Sequence, residues 1–305
     1  MIVEMPSTST ARIAKKLQEL RETGGVVALG RVLSLLIETD SKNLEAAIEI
    51  ANEASRLHPS RIIVLAKEPG ARSNLDAEIR VGGDAGASEV IVLHAVGETL
   101  SSIESLVSGL LLPDAPIVAW WPAECSDNPA ASELGLIAAR RITNSAAQEN
   151  PVTYLHRLAT NYQSGDSDMA WTRITLWRSQ LAALLQQHLT REIKEVLVFG
   201  NLSSPSTHLL ASWLRLRLGV AVSINEKIAD AEVSGVGGVQ INFDSGSLRV
   251  IRTGEVAVIE QPDFPVTSLL LPPRSDLDCL VEDLRFLGED REYAEVLKEV
   301  VEGGN

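Results

Sequence analysis

One glycine-rich stretch near the amino terminus has the spacing of a phosphate-binding loop. Gly25 and Gly30 stand as far apart as the two glycines of a Walker A motif. Arg31 and Val32, however, occupy the positions where that motif needs Lys and Ser or Thr to contact phosphates and Mg²⁺. The sequence therefore does not predict a nucleotide site at this stretch.

A second glycine-rich stretch lies between two predicted strands. Gly82, Gly83 and Gly86 lack the Gly-x-Gly-x-x-Gly order, and no helix-length segment separates them from Glu89. A tight turn or a helix entry is the simpler interpretation. The alternative is an anion-binding loop that uses backbone N–H groups.

The histidines and cysteines form no metal-binding or catalytic motif. No two histidines share a helix turn or stand beside a cysteine at a ligand spacing, and no Gly-x-Ser-x-Gly elbow occurs. The sequence thus predicts no metal, no cofactor and no catalytic residues. This favours a binding or regulatory protein over an enzyme, although active sites also assemble from residues far apart in sequence.

The chain has only two cysteines, Cys125 and Cys279. Two are too few for a disulfide framework or a thiolate metal site, so reduced thiols are expected. A regulatory disulfide is the alternative, and it would need Cα atoms within about 7 Å of one another.

Two pairs of charged residues could bind ligands or partners. Arg140 and Arg141 could bind an anion or an acidic partner surface, and the alternative is a solvated charge pair. Asp166 and Asp168 precede a helix, so we expect them to cap it and to stabilise it, because a negative charge is favourable at the positive amino end of a helix. A shared cation is the other interpretation of this acidic pair.

Trp120 and Trp121 end an apolar stretch, residues 110–122, in which Pro113 and Pro116 forbid a continuous helix. Residues 117–119 predict a strand buried on both faces. Neighbours on a strand point to opposite faces, so the two rings cannot enter the same core layer. They are either half-buried lids at a strand end or part of an interface or pocket rim.

The elements that position these residues alternate between helix and strand in the first half of the chain. Strands are predicted at 32–37, 61–65, 77–81 and 89–93, with a helix at 43–57 between the first two. The second half begins with a helix predicted over 168–188. It continues with a strand at 195–199, a helix at 205–218 and an antiparallel meander over 235–259.

The fold class expected is therefore α/β in two parts. We predict an N-terminal α/β domain, residues 1–165, with largely buried strands. A C-terminal mixed α/β domain, residues 166–305, should contain the short antiparallel meander. Gly165 lies in the break between them.

Composition excludes several classes of protein. The chain of 305 residues has 27 basic and 41 acidic side chains, a net charge of −14, and no basic arm or stripe. Nucleic-acid binding needs a cationic face, so we expect no nucleic-acid partner. No apolar run approaches the length of a membrane span and no signal peptide is recognisable, so we expect a cytoplasmic protein without a membrane partner.

Several long and unusual motifs resemble those of the OpcA family. They are GRVL (30–33), HPSRIIV (58–64), the glycine-rich run 82–88 leading into EVIVL (89–93), LLLPDAPIVAWWP (110–122), RRI (140–142) and GDSDMAWTR (165–173). The resemblance covers most of the chain, most closely up to Leu181. It implies a non-catalytic cytoplasmic protein that binds glucose-6-phosphate dehydrogenase, promotes its active oligomer and acts as its allosteric activator in the oxidative pentose phosphate pathway.

The resemblance gives the tryptophan and arginine pairs a use. Trp120, Trp121, Arg140 and Arg141 are the predicted partner-binding residues. Some members of the family are redox-controlled through cysteines, and the resemblance does not assign Cys125 or Cys279 to those positions. The alternative function is an enzyme or sensor that binds a sugar phosphate or nucleotide at the loop from Gly82 to Gly86.

Overall fold

The computed structural model describes residues 1–23, 32–68, 74–81, 89–97, 102–228, 231–232 and 235–303. Gly25, Gly30 and Arg31 of the first glycine-rich stretch lie outside these ranges. So does the whole of the second one, with Gly82, Gly83 and Gly86.

The described part of the chain forms ten α-helices and sixteen strands, each type numbered in chain order. The strands are β1 (Ile2–Met5), β2 (Leu33–Asp40), β3 (Ser60–Glu68), β4 (Asn74–Arg80), β5 (Glu89–Val96), β6 (Ile117–Trp120), β7 (Arg140–Thr143), β8 (Asp166–Asp168), β9 (Ile193–Gly200), β10 (Val222–Asn225), β11 (Lys227–Ile228), β12 (Ala231–Glu232), β13 (Val236–Phe243), β14 (Ser247–Thr253), β15 (Val256–Glu260) and β16 (Thr267–Leu270). The helices are α1 (Thr10–Thr23), α2 (Leu44–Ser55), α3 (Ile103–Ser108), α4 (Glu133–Ile137), α5 (Pro151–Asn161), α6 (Met169–Arg173), α7 (Thr175–Leu185), α8 (Pro205–Leu218), α9 (Asp276–Arg285) and α10 (Arg291–Glu302).

The chain forms two compact units that interleave along the sequence. The first unit comprises Met1–Asn144, Gly165–Ser167 and Asp276–Glu289. The second comprises Ser145–Ser164, Asp168–Ser275 and Asp290–Asn305. Helix α9 therefore belongs to the first unit, although it follows nearly all of the second in sequence. A division into independent domains at residue 165 stays a prediction.

The first unit is built on a sheet in the order β1-β4-β5-β3-β2-β6-β7-β8. Its centre is parallel: β2 pairs with β3 and β6, β3 pairs with β5, and β6 pairs with β7. β4 pairs antiparallel to both β1 and β5. Residues 35–37 of β2 and 62–66 of β3 are fully buried, as the continuous apolar runs predicted.

The connections of this sheet run in opposite directions from β2. The chain moves from β2 to β3 and β5 on one side, and later to β6 and β7 on the other. Parallel α/β sheets bind ligands at such a switch point, outside the carboxyl ends of the strands. The carboxyl ends of β2 and β6 are therefore the place in this unit to look for a site.

The second unit has a sheet in the order β10-β9-β13-β14-β15-β16, in which only β9 and β10 are parallel. The antiparallel meander predicted over 235–259 is confirmed by β13, β14 and β15, and the predicted helix over 205–218 is confirmed by α8. The prediction of one continuous helix over 168–188 is wrong. This segment forms two helices, α6 and α7, which are separated at Ile174, where the backbone leaves the helical conformation at φ −95° and ψ 7°.

These results confirm the predicted fold class, α/β with largely buried strands in the N-terminal part and an antiparallel meander in the C-terminal part. No described helix combines the length and the apolar character needed to cross a bilayer.

Candidate functional site

The two tryptophans at the end of β6 point to opposite faces of the sheet, as strand geometry predicted. Trp121 packs in a hydrophobic cluster with Leu36 and Ala119, which are cross-strand partners. Trp120 is the cross-strand partner of Ile37, which follows Leu36 on β2, and it does not belong to that cluster. Both are fully buried, with 0% and 1% of their surfaces exposed for Trp120 and Trp121, so neither is a half-buried lid.

Trp121 also lines a cavity of about 640 Å³ in the first unit. The cavity lies at the switch point, where β2 contributes Glu38, Thr39 and Asp40, and β3 contributes Lys67. The other described residues that line it are Ile103, Ala123, Glu124, Cys125, Ser126, Ser132 and Glu133. Its volume lies within the range of roughly 300–1,000 Å³ that is usual for small-molecule pockets.

Four of the five charged side chains that line this cavity are acidic, and some of them already have partners within the chain. Lys67 Nζ lies 2.6 Å from Glu38 Oε1. Asp40 Oδ1 accepts hydrogen bonds from the backbone N and the Nδ2 of Asn43, at 2.8 and 3.0 Å. Thr39 is 6% exposed, and its Oγ1 has no hydrogen-bond partner. Such a lining suits hydroxyl or cationic groups better than phosphate, because most of its charges are negative.

Arg140 is buried in the first unit, and its partners come from distant parts of the chain. Its Nη2 lies 2.8 Å from Asp283 Oδ1 on α9, and its Nη1 donates to the carbonyl of Gly288 at 3.0 Å. Ser167 Oγ donates to the same Asp283 oxygen at 2.6 Å. A buried ion pair with these extra hydrogen bonds holds α9 against β7.

Arg141 is buried as well, with 7% of its surface exposed. Its guanidinium is paired with Asp166 and donates to the carbonyl of Ala138 at 2.9 Å. The interpretation of Arg140 and Arg141 as a solvated charge pair is therefore wrong. The carboxylate partners, Asp283 and Asp166, are distant in sequence from Arg140 and Arg141. The residues around the arginine pair therefore did not indicate that the two side chains are buried.

Asp168 acts as the helix cap that was expected. Its Oδ1 accepts from the backbone N of Ala170 at 2.8 Å, at the start of α6. The same oxygen accepts from Ser145 Oγ at 2.7 Å, and Oδ2 accepts from the backbone N of Ser145 at 2.8 Å. All three donors lie in the second unit, so the carboxylate is satisfied by protein groups. Asp166 instead pairs with Arg141 and does not cap the helix.

The outer strands of the second unit carry an exposed apolar surface that the sequence analysis missed. Val256 and Leu270 are direct cross-strand neighbours on β15 and β16, and they are 43% and 69% exposed. Val258, two residues along the same face, is 40% exposed. Together, Val256, Val258 and Leu270 form what we term the apolar sheet face. The sequence carried no signal of it, because residues 256–259 are all apolar and their alternation of exposure is visible only in the structure.

The two cysteines lie in different settings, and neither forms a disulfide. Cys279 is buried on α9, and Cys125 is partly exposed where it lines the cavity of the first unit. Within the described ranges, no group of three or more His, Cys, Asp or Glu side chains could hold a metal ion.

Fold and site together define a two-unit α/β protein with a mixed sheet of parallel centre in one unit and a largely antiparallel sheet in the other. The chain belongs to the OpcA family. The model of the glucose-6-phosphate dehydrogenase subunit N-terminal domain matches residues 51–160, and that of the corresponding C-terminal domain matches residues 164–297. A role associated with glucose-6-phosphate dehydrogenase follows from this membership, and the resemblance noted in the sequence is confirmed.

Other comparisons are more distant, and no curated protein sequence matches the chain. Biliverdin reductase from Synechocystis sp. PCC 6803, solved with biliverdin and NADP⁺, is 10% identical with a TM-score of 0.45, over 90% of this chain and 98% of that one. A putative oxidoreductase from Bacillus subtilis is 8% identical with a TM-score of 0.43, over 90% and 97%. Neither likeness is close enough to carry an argument about function.

Proposed function

We propose that this chain is a non-catalytic subunit of glucose-6-phosphate dehydrogenase, which binds the enzyme, promotes its active oligomer and raises its activity at low glucose 6-phosphate. The observation that carries the proposal is the pair of family matches, which are both described as domains of a subunit of that enzyme and together reach from residue 51 to residue 297. The charged pairs singled out by sequence, Arg140 with Arg141 and Asp166 with Asp168, serve as ion pairs and a helix cap within the chain.

The apolar sheet face is the surface that we propose for the contact with the dehydrogenase. Exposed apolar side chains that adjoin one another across two strands are unusual on a monomer and are typical of interaction sites. β16 is also the edge strand of its sheet, so its backbone groups on the outer side can pair with another chain.

The predicted role of Trp120, Trp121, Arg140 and Arg141 in partner binding stays a prediction. Their side chains are between 0% and 7% exposed, so they would act by holding β6 and β7 in place instead of touching the partner. Substitution at any of them is therefore expected to change stability as well as affinity.

The contact is tested by Val258→Glu. A carboxylate placed in an apolar interface must be desolvated, so we expect affinity for the dehydrogenase to fall by about 2 kcal/mol, roughly thirtyfold. Val301→Glu is the matched control, because Val301 is also 41% exposed but lies on α10. Size-exclusion co-elution and calorimetric titration give the affinities, and equal losses in both variants would remove the apolar sheet face from the proposal.

The activator role is tested separately by steady-state kinetics. The wild-type chain should turn over nothing alone and should raise dehydrogenase activity at low glucose 6-phosphate when the two are mixed. Unchanged kinetics with a saturating, verified complex would contradict activation while leaving the association intact.

A further inference from the structure

A small cavity in the second unit is lined by three arginines. Its volume is about 250 Å³, and Arg173 at the end of α6, Arg252 on β14 and Arg274 before α9 all reach it. Apolar walls come from Ile174 and Trp177, among others. No carboxylate is among the described residues that line the cavity, although the chain as a whole has a net charge of −14.

Two of the guanidinium groups are held in position by carbonyl groups. Arg252 Nη2 donates to the carbonyl of Val236 at 2.6 Å, and its Cζ lies 5.6 Å from the centre of the Trp177 ring. Arg274 Nη1 donates to the carbonyl of Thr172 at 2.7 Å. In Arg252 the carbonyl satisfies one N–H group but does not neutralise the positive charge of the guanidinium.

Arg252 carries the electrostatic cost of this arrangement. Burial lowers the pKa of the Arg252 guanidinium, and no ion pair within the described part of the chain raises it again. An arginine stays protonated at neutral pH in spite of such a shift, so its charge is partly desolvated. An anion that enters the cavity would offset that cost.

The amino end of α8 adds a second source of positive potential. Ser204 and Ser206 line the cavity and flank Pro205, the first residue of this 14-residue helix. Ser204 occupies the N-cap position, but its side chain makes no capping hydrogen bond. Pro205 has no N–H and the Thr207 N–H already donates to the Ser204 carbonyl, so the contribution of α8 is the partial positive charge of its amino end, which favours anions.

We propose that this cavity binds a phosphate group, either as free phosphate or as part of a small organic phosphate. Guanidinium groups match phosphate because their planar N–H pairs meet two oxygens at once. The cavity is smaller than the roughly 300–1,000 Å³ of most ligand pockets, so a small metabolite fits better than a dinucleotide. The apolar wall at Ile174 and Trp177 lies where the carbon skeleton of an ester would pack.

Calorimetric titration of the dialysed full chain, without the dehydrogenase, tests the proposal. The ligands are inorganic phosphate, glucose 6-phosphate and, as the uncharged control, glucose. We expect saturable binding of at least one phosphate ligand and none of glucose. Equal affinities for both phosphate ligands identify free phosphate as the ligand, and tighter binding of the ester identifies an organic phosphate.

Arg252→Gln locates the binding. We expect its affinity to be weaker by roughly tenfold or more, because a charged donor is lost. Arg249→Gln is the matched control, since Arg249 is on the same strand but pairs with Glu260 at 3.0 Å outside the cavity. If Arg252→Gln does not fold, as judged by circular dichroism, Arg274→Gln takes its place.

Two results would overturn the proposal. The first is no saturable binding of either phosphate ligand up to about 10 mM. The second is unchanged affinity in folded Arg252→Gln and Arg274→Gln, which would place the anion elsewhere, for example at the loop from Gly82 to Gly86. Because the dehydrogenase is absent from these titrations, neither result bears on its association with the chain.

Discussion

The indole nitrogen of Trp120 is buried without a hydrogen-bond acceptor, whereas that of Trp171 donates to Asp290 Oδ2 at 2.8 Å. Trp120→Phe removes an unsatisfied donor, so the gain from this removal offsets part of the lost packing. Trp171→Phe loses a hydrogen bond to a charged acceptor, worth about 1.5–3 kcal/mol. We expect the first substitution to reduce the free energy of unfolding less than the second.

Urea unfolding of both phenylalanine variants measures this difference, with Trp120→Ala as the reference for loss of the whole ring. That reference should cost about 3–5 kcal/mol, as for other large buried side chains. A Trp120→Phe variant as unstable as Trp171→Phe would show that the indole nitrogen of Trp120 has an acceptor in solution.

His208 should make stability depend on pH. Burial, opposed in part by its hydrogen bond to the Leu202 carbonyl, lowers the pKa of His208 below its ordinary 6.5. The unfolded chain therefore takes up a proton at a higher pH than the folded chain does. The free energy of unfolding should fall as the pH is lowered from about 7 to about 5.5.

His208→Gln isolates that contribution, because glutamine keeps an N–H donor for the Leu202 carbonyl, which lies 2.7 Å from His208 Nε2. We expect a shallower loss of stability on acidification than in the wild-type chain, as measured by thermal melts across that pH range. Parallel pH profiles for the two proteins would assign the dependence to other groups.

The ion pair of Arg140 and Asp283 links β7 to α9, and Asp283→Asn tests its contribution. This change leaves a buried guanidinium without its counter-charge, so the expected loss is about 3–5 kcal/mol of unfolding free energy. The double variant Arg140→Met/Asp283→Leu should lose less, because it removes both charges.

An exposed pair provides the comparison for that experiment. Arg249 and Glu260, with side chains 40% and 49% exposed, should contribute about 0–1 kcal/mol, so Glu260→Gln is expected to have little effect. A loss of similar size in both single variants would mean that the pair of Arg140 and Asp283 is hydrated rather than buried.

The sequence predicted those features of the fold that depend on the periodicity of neighbouring residues. The opposite orientation of Trp120 and Trp121 follows from the two-residue period of a strand, and α2 follows from its apolar spacing, with Leu44, Ala47, Ile48 and Ala51 all buried. β16 was missed because residues 267–270 are mostly exposed and lack a buried alternation. The division of α6 from α7 depends on the backbone of a single residue, Ile174, which no periodicity indicates.

The sites were harder to predict than the elements, because their residues converge from distant parts of the chain. Arg140 and Arg141 were recognised as important, but their carboxylate partners stand 143 and 25 residues away. The arginines of the second unit's cavity are separated by whole elements and form no motif. Pairing over such distances is set by topology, and sequence periodicity carries no information on it.

At the scale of the whole molecule, the first unit needs a helix from the far end of the chain. A fragment of residues 1–165 lacks α9, which packs on α2 and buries Cys279, Leu280, Asp283 and Leu284. We expect this fragment to unfold at lower urea concentration than the full chain, because an apolar face and the charge of Arg140 are left without partners.

A peptide of residues 274–289 should restore stability to the fragment in proportion to its concentration, as for any ligand of the folded state. The same peptide with Asp283→Asn is the control and should restore less. A fragment that is as stable as the full chain without peptide would support independent folding of residues 1–165.

The return of the chain to its first unit also affects the order of events during synthesis. A unit made of residues 1–144 alone could fold while the ribosome was still translating the rest. In this chain α9 emerges only after the intervening residues, which at translation rates of about 5–20 residues per second takes roughly 7–30 s. During that interval Arg140 of β7 lacks its partner Asp283, and the apolar surface of α2 that α9 covers is exposed to solvent. We therefore expect this part of the first unit to be the first to depend on chaperones.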